Sequence, residues 1–390
     1  MKDLRSAEVA GKVVALRTDL NVPTSDSGEI TDDTRIVESL PTIKYLGEAG
    51  AKVLVLSHFK RPEGRPVPSM SLKPVAAALA DLLGKEVDFV ADCVGPTVAE
   101  AVARLKPGGV ALAENLRFHP GETANDPGFA RELARPAQLF VNDAFGTCHR
   151  AHASVVGLAA LLPAYPGFLL EKELNALHKV LENPQRPLLA IVGGAKVSTK
   201  IGVLENLVDK VDFLLLGGGM ANTFLAARGI DMGRSLVETD HLDTARRIME
   251  KAAKARIALV LPADGVMAES IESGGHTEIH DVNDVPEGWM MLDIGPTSVG
   301  FFASFLQRAA TIVWNGPMGV FERWEFAEGT RSVAREVAES NAYSVVGGGD
   351  SVAALKELQV EDRIDHISTG GGASLEMLEG KTLPGIAALS

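Results

Sequence analysis

Short β-prone runs of four to six residues, each closing on glycines or charged residues, alternate with helix-forming sequence along this 390-residue chain. A helical stretch at 36–49 precedes the apolar run Lys52–Leu56, and another at 72–83 precedes Val87–Val90. That alternation builds βαβ units around a mostly parallel sheet. At this length one hydrophobic core is unusual, so two such domains are expected. Residues 171–183 read as a helix with Leu174, Leu177 and Leu181 on one stripe, preceded by Pro166-Gly167 and ended by Asn183-Pro184. The expected division is a first domain at 1–170, a connecting helix at 171–185 and a second domain at 186–372, with the tail 373–390 docking back on the first.

Four glycine clusters crowd the second half. Gly193-Gly194 follows Leu188–Val192, and Gly217-Gly218-Gly219 follows Phe213–Leu216. Gly347-Gly348-Gly349 follows 343–346, and Gly370-Gly371-Gly372 follows Ile367-Ser368-Thr369. A single cluster of this kind is more often a tight strand-to-helix turn than a ligand site, because glycine is the default wherever φ must be positive. Four on one half-chain read differently. They are placed to present backbone N–H groups to phosphate at helix starts. Lys196 and Lys200 follow the first cluster and Asp350 the third; ammonium groups suit phosphate oxygens and a carboxylate suits magnesium. The second half therefore reads as a nucleotide site.

The first half carries charged residues just beyond its apolar runs. Arg17, Asp19 and Asn21 follow 12–16; His58, Phe59, Lys60 and Arg61 follow Lys52–Leu56. Arg117 and His119 follow Val110–Ala113, and His149, Arg150 and His152 follow 138–141. Ligands of open parallel sheets bind beyond the carboxyl ends of the strands, so Arg35, His58, Arg61, Arg117 and Arg150 are candidates for one crevice. Five cationic or protonatable groups would suit a small, multiply charged anion. His58, His119, His149 and His152 lack the spacing of a zinc site, and metal ligation by them is not expected.

Net charge is −13, shared unevenly. Residues 1–185 hold 20 Lys+Arg against 23 Asp+Glu, and the remainder holds 18 against 28. An acidic chain is a poor partner for nucleic acid or an anionic membrane, so any anionic ligand must be met by local cationic geometry. The two cysteines, Cys93 and Cys148, form no CxxC pair and fit a reducing cytoplasm. No apolar stretch reaches membrane-spanning length; the longest candidate, 157–170, is broken by Pro163 and Pro166. The N-terminal Met1-Lys2-Asp3-Leu4-Arg5 has no apolar core for a signal peptide. Gly380-Lys381-Thr382 looks like the end of a Walker A loop, but Leu375 stands where that loop needs glycine. The G-x-G-x-x-G dinucleotide fingerprint is missing after the first strand, which disfavours a nicotinamide-dependent dehydrogenase.

Taken together the motifs resemble phosphoglycerate kinase. They run in order over essentially the whole chain: Arg17 to Pro23 (Arg-Thr-Asp-Leu-Asn-Val-Pro), Ser57 to Pro62 (Ser-His-Phe-Lys-Arg-Pro), Glu114 to His119 (Glu-Asn-Leu-Arg-Phe-His) and Val141 to His152. Gly193 to Val197, Val313 to Glu322, Gly347 to Asp350 and Ser368 to Ser374 complete the series. The resemblance implies two Rossmann-like α/β domains with mostly parallel sheets joined by an interdomain helix. One would bind 3-phosphoglycerate or 1,3-bisphosphoglycerate and the other Mg-ADP or Mg-ATP, in a monomeric cytoplasmic enzyme. It places Asp19, Asn21, Arg35, His58, Phe59, Lys60, Arg61, Arg117 and Arg150 around the glycerate substrate. Gly193, Gly194, Lys196, Lys200, Gly217, Gly218, Asn315, Pro317, Glu322, Gly348, Gly349, Asp350 and Ser351 would line the nucleotide, with Glu322 on the ribose and Asp350 holding magnesium. Arg35, Lys196, Gly371 and Gly372 would face the phosphoryl group in transit.

Lys60 stands where the family usually has glycine, Ser351 where it has threonine and Thr18 where it has valine. The implied chemistry needs no general base, since the terminal oxygen of ADP is already anionic and an acyl phosphate already has a good leaving group. That fits the absence of any Ser-His-Asp or Cys-His arrangement. A non-catalytic metabolite-binding relative is the other class of reading, and it would be expected to have lost Lys196, Asp350 or Arg35. Hinge-bending closure, with 171–183 and 368–372 among the flexing points, is expected if the reacting atoms are to meet away from water.

Overall fold

A computed structural model describes residues 1–272 and 276–390. Two compact units emerge, one of Met1–Leu174 with Thr382–Ser390 and one of Asn175–Lys381. The first is built on six parallel strands: β1 (Val13–Arg17), β2 (Lys52–Leu56), β3 (Val87–Val90), β4 (Val110–Ala113), β5 (Leu139–Asn142) and β6 (Ala164–Pro166). Their order is β3-β4-β2-β1-β5-β6. Every residue of β1, β4 and β5 is buried, as expected for strands covered on both faces by crossover helices. The chain leaves β1 in one direction through β2 and returns to its other side at β5. The carboxyl ends of β1 and β5 thus flank the point where strand order reverses, the usual place for a ligand.

The second unit repeats the plan. β7 (Leu188–Val192), β8 (Phe213–Leu216), β9 (Ala258–Val260), β13 (Thr311–Asn315), β14 (Tyr343–Gly347) and β15 (His366–Ile367) form a parallel sheet in the order β15-β14-β13-β7-β8-β9. Its reversal falls between β7 and β13. A separate three-stranded antiparallel sheet, β11-β10-β12, is made by β10 (Asp264–Ala268), β11 (Glu278–Asp281) and β12 (Met290–Ile294), with a register shift at Val266/Met267. The sequence pattern did not reveal that sheet, because β11 is polar and largely exposed.

The helix expected at 171–183 runs from Phe168 to Leu181. It starts earlier because its first amides find distant partners. Thr42 Oγ1 accepts from Phe168 N at 2.9 Å, and the buried Asp143 carboxylate accepts from Leu169 N at 2.9 Å and Leu170 N at 3.2 Å. No local sequence signal marks such a cap. The boundary between the units falls inside this helix, not at its ends. The tail also divides differently from expectation. Helix Gly372–Leu378 stays with the second unit, where Asn206 Nδ2 donates to Leu378 O at 2.7 Å. Only Thr382–Ser390 joins the first: Leu383 and Leu389 are buried, and Gly385 N donates to Cys148 O at 2.9 Å. Among the described residues no helix is long and apolar enough to cross a membrane.

Candidate functional site

In the first unit the candidate residues sit on the loops that leave β1, β2, β4 and β5, and buried polar side chains tie those loops together. Arg17, the last residue of β1, is fully buried. Its Nε donates to Ser154 Oγ at 2.8 Å, Nη1 donates to Thr18 O, and Nη2 lies 3.1 Å from His58 Nδ1. Arginine can only donate, so His58 Nδ1 accepts and its proton sits on Nε2. Burial first, then Arg17, Arg117 and Arg35, hold the His58 pKa well below its usual value. His58 is therefore neutral at neutral pH, a correction to its expected place among the cationic groups. Its 3.8 Å approach to Asp19 Oδ1 is not an ion pair.

Asp19 is matched by Arg35, whose Nη1 donates to Oδ2 at 2.7 Å from the first turn of helix Thr34–Glu48. Asn21 Oδ1 accepts from Lys60 N at 2.8 Å, and Arg117 Nη1 donates to Lys60 O at 2.8 Å. One peptide segment thus links the β1, β2 and β4 loops. Lys60 adopts φ +54°, in the left-handed region that favours glycine. Its Nζ lies 5.1 Å from the centroid of the neighbouring Phe59 ring.

Arg117 is buried, and its Nε has no hydrogen-bond partner. Burial, with Arg17 and Arg150 nearby, pushes its pKa down to about 10. An arginine crowded by two others, with an unsatisfied buried donor, is the arrangement an anionic ligand would relieve. Arg150 donates from Nε to His149 Nε2 at 3.0 Å and stays half-buried, while Arg61 is exposed. Phe59 is the exception: its side chain lies in the core and both its main-chain groups bond to the Asn115 side chain. Its side chain and main chain are both taken up by the fold.

Several buried groups that hold this edge were not singled out from sequence. Glu122 accepts from Ser154 N at 2.9 Å and Ser154 Oγ at 2.6 Å, so one serine bridges it to Arg17. Burial pushes the Glu122 pKa up, but His152, Arg17 and Ser154 outweigh it and hold the group below its usual value. Glu114 accepts from Ser71 Oγ at 2.6 Å and from the Leu72 and Asn115 amides at 2.8 and 2.7 Å. The only advance signal was a charge closing an otherwise apolar strand, as Arg17 closes Val13–Arg17.

The second unit is organised by backbone. Gly193 N donates to Asn315 O at 3.0 Å, Gly194 N to Pro317 O at 3.0 Å, Gly217 N to Val192 O at 3.1 Å and Gly218 N to Met318 O at 2.8 Å. A Cβ on Gly193 would sit 2.0 Å from Pro317 O, and one on Gly218 would sit 2.6 Å from Gly194 O. These glycines let three loops interlock at the β7/β13 reversal. Their amides are already taken up, so they are not the phosphate cradle expected of them. Ser351 is likewise buried, its Oγ accepting from Gly316 N at 2.8 Å, and so positions the Pro317 loop.

Open geometry is found elsewhere. Gly349 has no atom within 4 Å of its Cβ direction; it begins helix Gly349–Leu358 after Gly348, whose φ is +94°. Gly371, with φ +51°, is equally open and precedes helix Gly372–Leu378. Lys196 is exposed. Lys200 Nζ donates to the Asn315 side chain, and burial pushes its pKa down to about 8 despite the favourable charge of Asp350. Asp350 is exposed in the first helical turn. Burial and then Glu322 raise its pKa, while Lys200 lowers it, so Lys200, Glu322 and Asp350 share one electrostatic neighbourhood. A single exposed carboxylate fits magnesium, which keeps several waters and usually binds through one or two carboxylates plus substrate phosphates.

The family model described as phosphoglycerate kinase matches residues 2–381. A phosphoglycerate kinase of Rubrobacter xylanophilus is 56% identical over 388 residues, covering 100% of this chain and 98% of the relative. One of Acaryochloris marina is 55% identical over 391 residues, covering 99% and 98%. The solved phosphoglycerate kinase of Coxiella burnetii superposes with a TM-score of 0.91 at 45% identity, covering 100% of this chain and 98% of that one. That of Pyrococcus horikoshii gives 0.88 at 36% identity, with the same coverage. With whole-chain sequence matches laid over two doubly wound sheets, one edged by arginines and the other by Lys200 and Asp350, the chain belongs to the phosphoglycerate kinase family.

Proposed function

We propose that this chain catalyses the reversible transfer of a phosphoryl group between 1,3-bisphosphoglycerate and Mg-ADP, giving 3-phosphoglycerate and ATP. Family membership over the whole chain supports the reaction. The observation that carries the assignment of ends is the buried, unsatisfied Arg117 Nε beside Arg150 in the first unit, against the Lys200–Asp350 pair in the second. Arginines suit the glycerate's phosphate and carboxylate bidentately, whereas a lysine beside a carboxylate suits a metal–nucleotide.

In this reading Arg61, Arg117 and Arg150 hold the non-transferred phosphate. Neutral His58 offers its Nε2–H as a donor, and Arg35, oriented by Asp19, lies towards the reacting carboxyl end. Glu322 takes the ribose hydroxyls, with Asn315 and Pro317 beside the nucleotide. Asp350 holds magnesium, which when bound neutralises charge on the nucleotide phosphates. Lys196, Lys200 and the backbone at Gly371 and Gly372 face the phosphoryl group. No side chain need remove a proton; the residues supply in-line positioning and stabilisation of charge on a loose transition state. The enzyme works on small molecules as a cytoplasmic monomer. Closure on binding both substrates brings attacking oxygen and phosphorus within about 3.5 Å.

A coupled assay for ATP-dependent phosphorylation of 3-phosphoglycerate tests the reaction directly; nucleotide binding without turnover would leave only a binding protein. Gel filtration tests the monomer. Small-angle scattering tests closure, for which the radius of gyration should fall only when both substrates are present.

A further inference from the structure

Asp92 and Cys93 follow β3, and His119 follows the short 3₁₀ turn Leu116–Phe118 beyond β4. The two loops are neighbours because β3 and β4 pair in parallel, Val90 opposite Ala113. One carboxylate oxygen, the thiol sulfur and one ring nitrogen of these residues all lie within 4.8 Å of one another. His119 Nε2 is 2.8 Å from Asp92 Oδ1. The same Oδ1 accepts from Cys93 N at 2.6 Å and Val94 N at 3.4 Å, which fixes the carboxylate. His119 stacks on Phe129 with ring centroids 5.1 Å apart, which orients the imidazole. None of the three takes part in the proposed phosphoryl transfer.

A second feature adjoins them. Asp92 and His119 line a cavity of about 890 Å³ together with Ser71, Lys73, Glu114 and Phe118. The cluster therefore has a closed side, where Cys93 is 2% exposed, and an open side facing that space.

We propose that Asp92, Cys93 and His119 form a binding site for a thiophilic transition-metal ion, Zn²⁺ in the first instance, with its fourth position open to the cavity. Carboxylate oxygen, thiolate and imidazole are zinc ligands, and three protein ligands with one open position are the pattern of sites that bind a water or small ligand. Zinc bonds of about 2.0–2.3 Å set neighbouring ligand atoms roughly 3.2–3.8 Å apart, so the 2.8 Å Asp92–His119 pair must open by about half an ångström while the outer 4.8 Å limit of the cluster closes by about an ångström. The side chains keep partial exposure, 44% for Asp92 and 32% for His119, so the adjustment exchanges their mutual hydrogen bond for metal bonds. A thiolate ligand selects against Mg²⁺, which keeps this site chemically separate from the one at Asp350. The zinc spacing was missed in the sequence because two ligands are adjacent and the third lies on a neighbouring strand's loop.

Cobalt(II) titration of the full chain tests the site, since only a thiolate ligand gives a sulfur-to-cobalt charge-transfer band in the near ultraviolet. The band should saturate at about one equivalent and disappear when Zn²⁺ is added, as expected of a tetrahedral site. Excess Mg²⁺ should leave it in place. Cys93→Ser should abolish it, Asp92→Asn and His119→Ala should weaken it at least tenfold in apparent affinity, and Cys148→Ser and Asp350→Asn should leave it unchanged. Circular dichroism of each variant shows that it is folded, and Cys93→Ala serves if Cys93→Ser is not. No band in the wild type, a band that survives loss of Cys93, or one indifferent to both Asp92→Asn and His119→Ala would overturn the proposal.

Discussion

The two units solve the same problem, holding several loops at the carboxyl edge of a parallel sheet, with opposite materials. In the first, charged and polar side chains cross-link the loops: Arg17 through Ser154 to Glu122, Asp19 to Arg35, Glu114 and Asn115 to the loops after β2 and β4. In the second, the loops after β7, β8 and β13 touch backbone to backbone through Gly193, Gly217 and Gly218. A side-chain scaffold fails by losing a charge or a hydrogen bond. A backbone scaffold fails by gaining a methyl group.

That contrast is broken most severely at Gly193. A methyl 2.0 Å from Pro317 O meets main chain, which has little freedom to yield. We expect Gly193→Ala to cost about 4 kcal/mol or more, at the extreme of single substitutions, read as a lowered urea midpoint of the second unit. Gly349→Ala, which meets no atom within 4 Å, should shift the same midpoint by no more than about 0.5 kcal/mol. Equal effects would dissolve the distinction between interlocked and open glycines.

Arg17→Met applies the corresponding test to the first unit. It removes a positive charge that, after His152, helps hold the buried Glu122 ionised, and should cost about 3 kcal/mol, the low end for breaking a buried charge network from one side. A near-neutral result would mean that His152 and Ser154 satisfy Glu122 without Arg17. Lys196→Ala should leave stability unchanged and lower kcat by about a hundredfold, or 2.7 kcal/mol of barrier. Weaker nucleotide binding with kcat unchanged would make Lys196 a simple binding residue.

A smaller effect separates the cations of the two units. Lys200 titrates near 8 when no ligand is bound, whereas Arg117 stays charged throughout the working range. Phosphate favours the charged lysine, so ADP affinity should fall as pH rises past about 8, by up to tenfold per pH unit. Glycerate affinity should stay flat over the same window. Isothermal titration of both ligands from neutral to alkaline pH checks this, and Lys200→Arg should remove the slope for ADP. A small change is also expected for Lys60→Gly. Relief of the left-handed backbone, about 1 kcal/mol, is offset by a comparable gain in unfolded-chain freedom, so the net should stay within about 1 kcal/mol.

The parallel sheets were legible because their central strands, such as β1, β4, β5, β7 and β8, are fully buried and read as largely apolar runs. The β10–β12 sheet was not, since Glu278–Asp281 carries no such run. The charged residues of the site were legible one by one, because arginines and histidines beyond strand ends stand out. Their states were not: whether His58 is charged depends first on its burial and then on Arg17, Arg117 and Arg35, brought in from other loops. The glycines misled in one respect. Sequence marks where a Cβ is excluded, but the excluding atom can be a ligand's phosphate or, as at Gly193, a carbonyl of the protein itself.

The return of Thr382–Ser390 to the first unit has a consequence for the order of events on the ribosome. Those residues are synthesised after the whole of Asn175–Lys381, yet Leu383 and Leu389 fill the core of the unit made first. The earlier unit must therefore wait, with the surface around Cys148 uncovered, while the later one is made and free to fold. Loss of Thr382–Ser390 would injure the oldest part of the molecule and spare the newest.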